Sequence, residues 1–258
     1  IEITARKSGY NVIIMQSHDS YEEEVSMAKS LYSSRVSGII CSLGMKTVDT
    51  THFQQFVNNN IPIVFVDRVP KEFNTFRVII DNHAAAYKAT VHLIEQGCKR
   101  IAHITAGSEF GNLYNERKRG YIDALTKYNL PVEKELIADL KTVTYNEALK
   151  ASDKLLDLKN RPDGLFASGD IMAVSAIQSA KKRGIRVPED LKLIGFNNDP
   201  ISEIIDPNLS TITHPAAKMG QMSAEIILKS IKFPNKDEVK EITFLNTEVL
   251  VRESSKKI

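Results

Sequence analysis

Short, continuous apolar runs separated by helical stretches constrain this chain more than any other feature. The runs are Val12–Met15, Val36–Cys41, Ile61–Asp67, Val78–Asp81, Arg100–Thr105, Gly164–Ser168 and Leu191–Phe196. They are apolar on both faces rather than alternating. That is the pattern of strands in a parallel sheet covered on both sides. The stretches between them carry helical spacing. Ser20 and Glu23 suit a capping box ahead of Val25, Ala28, Leu31 and Tyr32. Tyr121, Ala124, Leu125 and Tyr128 form one buried stripe, and Ala148, Leu149, Ser152, Leu155 and Leu156 another. Met172, Ala173, Ala176, Ile177 and Ala180 form a third, stopped by Gly184. Met219, Met222, Ala224, Ile226 and Ile227 suit a late helix. This alternation predicts a doubly wound α/β architecture.

The length of 258 residues allows one large domain or two smaller ones, with a substantial core and no need of staples. No linker rich in Gly, Pro or Ser divides the chain, so two lobes would be joined by ordered crossings. No apolar run reaches the roughly 20 residues that span a bilayer. The 34 basic and 32 acidic residues leave a net charge of +2, too balanced to announce a nucleic-acid surface. Cys41 and Cys98 form no metal pattern and fit a reducing compartment. The chain opens on Ile1–Ser8, which reads as the last turns of a helix stopped by Gly9. Since such a helix normally follows a strand, an upstream segment is expected.

In open parallel sheets ligands bind beyond the carboxyl ends of the strands. Polar residues stand there after each run: Ser17-His18-Asp19, Ser42, Asp67-Arg68, Asp81-Asn82, Ser108-Glu109, Ser168-Gly169-Asp170 and Asn197-Asn198-Asp199. Asp19, Asn82 and Asp170 also suit helix N-caps. If these ends converge, they line a polar small-molecule site. Catalytic signatures are missing from the sequence. It holds no GxSxG, HExxH or GxGxxG, and Gly107 and Gly111 lack the Lys-Ser/Thr of a phosphate loop. The six His residues show no ligand spacing, and Lys181-Lys182-Arg183 reads as a solvated helix end.

Seven phrases, in order along essentially the whole chain, resemble the effector-binding region of the LacI/GalR family of bacterial transcription regulators. They are Arg35–Ser42 (RVSGIICS), Ile61–Arg68 (IPIVFVDR), Asp81-Asn82 with His92–Ile101 (HLIEQGCKRI), Arg117–Leu125 (RKRGYIDAL), Pro162–Ala173 (PDGLFASGDIMA), Val187–Phe196 (VPEDLKLIGF) and Leu250–Ser254 (LVRES). The resemblance implies a periplasmic-binding-protein-like type I fold of two α/β lobes, with doubly wound parallel sheets joined by three crossings. The crossings are expected near Asp81-Asn82, Thr213-His214 and residues 240–243. One lobe then comprises 1–81 plus 214–241, its first strand missing, and the other 82–213 plus 242–258. An upstream helix-turn-helix headpiece is expected to bind operator DNA.

The resemblance also carries over ligand positions. Arg117 matches an arginine that pairs with effector oxygens, and a guanidinium offers five donors in a fixed fork. The alternative is a surface arginine opening a helix. Asn197 stands where the family usually has an acceptor Asp, so charge is lost while donor and acceptor are kept. Gly169 replaces the commoner Asn, removing one polar contact. Asp170 remains, with N-cap as its other role. Phe166 matches a position that stacks on a ligand ring in some members, or is a core residue. Arg68 and Ser42 are expected at the cleft wall. The implied protein is a cytoplasmic homodimer with no cofactor, not an enzyme. It senses a small effector, a sugar ahead of a nucleoside. The alternatives are a periplasmic sugar-binding protein of a transporter, an α/β enzyme, and a regulator answering to a phosphorylated carrier protein.

Overall fold

A computed structural model of the chain describes residues 1–71, 73–107, 113–234 and 240–256. The chain divides into two compact units, Ile1–Ile80 with Pro215–Asn246, and Asp81–His214 with Thr247–Ile258. It therefore passes three times from one unit to the other.

Among the described residues the first unit holds four parallel strands in the order β1-β2-β3-β9: β1 (Ile39–Cys41), β2 (Ile63–Val66), β3 (Phe76–Ile80) and β9 (Ile242–Leu245). Its helices are α1 (Glu2–Lys7), α2 (Tyr21–Ser33), α3 (Gln54–Asn58) and α9 (Ala216–Lys232). Ser20 caps α2, accepting from the backbone N–H of Glu23 at 3.3 Å, as its place before an amphipathic run dictates. One core cluster joins Ala28, Phe53, Phe56 and Phe65; a second joins Val64, Val78, Met219 and Leu228. The two clusters together cover both faces of the sheet, which is why its strands read as unbroken apolar runs.

Among the described residues the second unit holds six strands in the order β10-β8-β7-β6-β4-β5. They are β4 (Ile101–Ala106), β5 (Ile137–Leu140), β6 (Gly164–Ala167), β7 (Lys192–Asn197), β8 (Ser210–Thr213) and β10 (Val249–Leu250). All pair in parallel except β10, which runs antiparallel to β8. Its described α-helices are α4 (Asn82–Glu95), α5 (Leu113–Lys127), α6 (Tyr145–Leu156), α7 (Asp170–Lys182) and the short α8 (Ile201–Ile204). The stripes expected on α6 and α7 are buried at Ala148, Leu155, Leu156, Met172, Ala173, Ala176, Ile177 and Ala180. Gly184, at φ 65°, ends α7 in the left-handed conformation that glycine adopts without strain.

Three expectations change. Val12–Met15 is not a strand: the segment joins no ladder, and its side chains are 37–80% exposed. β-branched composition favours extension, but a strand exists only where a partner supplies hydrogen bonds. The third crossing falls at Asn246/Thr247 rather than near 240–243, because Ile242–Leu245 pairs with Arg77–Ile80 and so belongs to the first unit. Lastly, Asp19, Asn82 and Asp170 are not N-caps; Ser20, Asp81 and Gly169 hold those positions. Ser108, Glu109 and Gly111 lie outside the described residues.

Candidate functional site

In the second unit the chain order reverses about β4, whose neighbours are β5 on one side and β6 on the other. A doubly wound sheet opens its ligand crevice at such a switch point, beyond the carboxyl ends of the strands. The segments there are Ser168-Gly169-Asp170 after β6 and Asn197-Asn198-Asp199 at the end of β7. Arg117 reaches this place from α5. Its Nε donates to Asn82 Oδ1 at 2.8 Å and its Nη1 to the Ser168 carbonyl at 2.7 Å. The guanidinium carbon lies 3.5 Å from the centroid of the Phe196 ring and 5.3 Å from that of Tyr114. Arg117 is only 3% exposed. A flat cation stacked on an aromatic face and held at two donors keeps one orientation.

The turn after β7 is unusual. Asn197 has φ 114° and Asn198 φ 57°, two consecutive left-handed residues that are not glycine. Asparagine tolerates that region better than most side chains. Asp170 holds the turn from within. Its Oδ2 accepts from the Asp199 backbone N–H at 2.7 Å and its Oδ1 from the Thr211 hydroxyl at 2.7 Å. Thr211 Oγ1 in turn accepts from the Asn198 N–H at 3.2 Å. Burial raises the Asp170 carboxyl to about 6, against the opposing pull of the Thr211 hydroxyl and the Asp199 N–H. Asn197 itself is half-buried, its Nδ2 3.4 Å from Asp199 Oδ2.

Phe166 is fully buried in β6, its ring stacked on His103 at 4.7 Å between centroids. Of the two roles expected of it, the structure shows that of a core residue. His103 is enclosed between Phe166 and Tyr121, and burial lowers its imidazole to about 3.

Arg68 and Ser42 belong to the first unit, after β2 and β1. Arg68 Nη1 donates to Asp19 Oδ1 at 2.7 Å, and that same oxygen accepts from the Met45 N–H at 2.8 Å. Ser42 is exposed. A second polar cluster lies close by in this unit. The buried Glu24 carboxylate accepts from the Gly44 N–H at 2.7 Å and from the Thr47 hydroxyl at 3.1 Å, and meets His52 Nε2 at 3.1 Å.

Thus Arg117, Asp170 and Asn197 come together within the second unit. Asn82, Ser168, Phe196 and Thr211 complete their surroundings. Asn82 and Ser168 were marked by polarity just beyond a strand. Thr211 lies inside a strand and carries no such signal. Among the described residues no group of three or more His, Cys, Asp or Glu gathers to hold a metal. No described helix is long and apolar enough to cross a membrane.

A family model described as a periplasmic binding protein-like domain matches residues 90–255. The chain is 33% identical over 232 residues to the HTH-type transcriptional repressor CytR of Escherichia coli (strain K12), covering 90% of this chain and 67% of the relative. It is 30% identical over 239 residues to the catabolite control protein A of Priestia megaterium, covering 93% and 70%. Among solved structures, the transcriptional regulator CelR–cellobiose complex superposes with a TM-score of 0.86 at 26% identity, covering 98% of this chain and 76% of that one.

Proposed function

Because this chain belongs to the LacI/GalR family of transcriptional regulators, we propose that its second unit binds a small, neutral, hydroxylated effector at Arg117 and Asn197. A sugar is favoured over a nucleoside. Binding alters how a homodimer engages operator DNA through the family's helix-turn-helix headpiece. Relatives named as transcriptional repressors favour a regulator over a transporter's binding protein.

The observation that carries the ligand reading is the fixed Arg117 fork beside the Asn197 turn. A ring of hydroxyl groups needs donors and acceptors in alternation. Arg117 supplies donors, Asn197 supplies both, and Asp199 adds an acceptor. The cellobiose in the CelR complex is a ligand of this class. Asp170 acts behind the turn. No bond is made or broken. The effector needs only unequal affinity for two states of the protein, so no turnover is expected.

The test is thermal unfolding of the full chain with D-ribose, D-glucose, cellobiose, cytidine and adenosine. At about 100 times its dissociation constant a ligand adds roughly 2.7 kcal/mol of stability. A sugar is expected to shift the wild type and not Arg117→Lys, which keeps the charge but loses the planar fork. A shift with nucleosides alone would remove the sugar reading. A sugar shift unchanged in the variant would remove the site.

A further inference from the structure

We infer that Arg252 is a positioning residue for the Asn197–Asp199 turn, acting through Asn198. That the turn meets a ligand rests on the reading above; that Arg252 holds it does not. Arg252 follows the third crossing by six residues and is anchored along its backbone. Its N–H donates to Ser210 Oγ at 2.8 Å, and the Ser210 hydroxyl donates to its carbonyl at 3.1 Å. The guanidinium then spreads over four acceptors. Nη2 donates to Asn198 Oδ1 at 2.8 Å and to Glu203 Oε1 at 2.8 Å. Nη1 donates to the Leu209 carbonyl at 2.9 Å and to Ser202 Oγ at 3.2 Å.

The division of labour around the turn is what points to Arg252. Asp170 and Thr211 grip its backbone N–H groups from the core side. Arg252 grips the Asn198 side chain, and ties it to α8 and to the start of β8. Two successive left-handed residues persist only where their surroundings over-determine them. The direction of the Asn197 side chain depends on that backbone. The last segment to enter the second unit therefore sets the geometry of the residue proposed to touch the ligand. A lysine at 252 would reach one or two of these acceptors, since it lacks the fork.

The experiment is amide hydrogen exchange on the full chain, in wild type, Arg252→Ala, Arg252→Lys and Asn198→Ala. The Asn198 and Asp199 amides should exchange about tenfold faster or more in all three variants, while the Phe166 and Ala167 amides of β6 keep their wild-type rates. Asn198→Ala leaves the other Arg252 bonds in place and so tests the link even if Arg252→Ala unfolds. Unchanged rates at Asn198 and Asp199, or an equal rise in β6, would overturn the inference. In parallel, D-ribose and cytidine are titrated calorimetrically. Arg252→Ala should weaken whichever binds by about tenfold, and unchanged affinity would overturn the link to the ligand. If neither binds the wild type, the reading of Asn197 as a ligand residue is what fails. The exchange rates still decide whether Arg252 holds the turn.

Discussion

The carboxylate of Asp170 rests on the bare backbone of Gly195: a Cβ at residue 195 would lie 2.2 Å from Asp170 Oδ1 and 3.0 Å from Leu209 Cδ2. The glycine is there for room. It lets the carboxylate sink beneath the end of β7 and reach both Thr211 and the turn that β7 enters.

Gly195→Ala is accordingly expected to displace Asp170 and loosen the Asn197–Asp199 turn. Overpacking of this kind costs typically about 1–3 kcal/mol. Denaturant unfolding should show a lower midpoint with an unchanged slope. A midpoint equal to wild type would mean that the carboxylate has somewhere else to go.

Asp170 should also leave a mark on the pH dependence of stability. Its carboxyl is raised from an ordinary value of 3.8 to about 6, so the folded chain binds this proton more tightly than the unfolded one. The contribution is fully present below about pH 4 and is lost as pH rises through 6. With about 1.4 kcal/mol per unit, the expected loss across the window is on the order of 3 kcal/mol. Asp170→Asn removes this slope. Unfolding free energies of the two proteins, measured from pH 4 to 7, should therefore change in the variant's favour as pH rises.

His103 carries the opposite sign. Burial lowers its imidazole to about 3, so the folded chain keeps it neutral where the unfolded chain is protonated. Its stabilising share is present above the unfolded value near 6.5 and falls away as pH drops below it. The ring faces the Phe166 carbonyl through Nδ1 at 3.0 Å, which requires the proton on that nitrogen. Nuclear magnetic resonance should find a neutral Nδ1–H ring that does not titrate between pH 5 and 8. Titration near 6.5 would place the ring in contact with water.

In the first unit, Glu24→Ala would strand three groups at once: the Gly44 N–H, the Thr47 hydroxyl and the His52 ring. Each buried group left without its acceptor costs roughly 1–3 kcal/mol. The loop that follows β1 should then show faster amide exchange at Gly44, and the whole chain a lower thermal midpoint. Glu24→Gln, which keeps an acceptor, should recover part of the loss.

Local chemistry was legible in the sequence and non-local pairing was not. Ser20 before an amphipathic run caps α2 and Gly184 stops α7, because each of these signals is satisfied within a few residues of chain; six of the apolar runs became strands, because burial on both faces of a sheet shows in composition even where the partner strand does not. The phrases resembling a known family located Arg117, Asp170 and Asn197 in one unit. The run Val12–Met15 has the composition of those strands but no ladder to join. β5 (Ile137–Leu140) is interrupted by Asp139, β8 (Ser210–Thr213) holds a single apolar residue and β10 only two residues, so these three carried no strong apolar signal.

Only the tertiary structure decided what these side chains do. Ile242–Leu245 belongs to the first unit because β3 offers it hydrogen bonds, a pairing across more than half the chain. Phe166 turned inward because His103 fills its face. Asp170 is a brace for the turn rather than a cap for its own helix, since Thr211 and the Asp199 N–H stand within reach of its carboxylate. Arg252 meets Asn198 from 54 positions away. A hydrogen bond depends on distance in space, and at such separations the sequence holds the partners without their pairing.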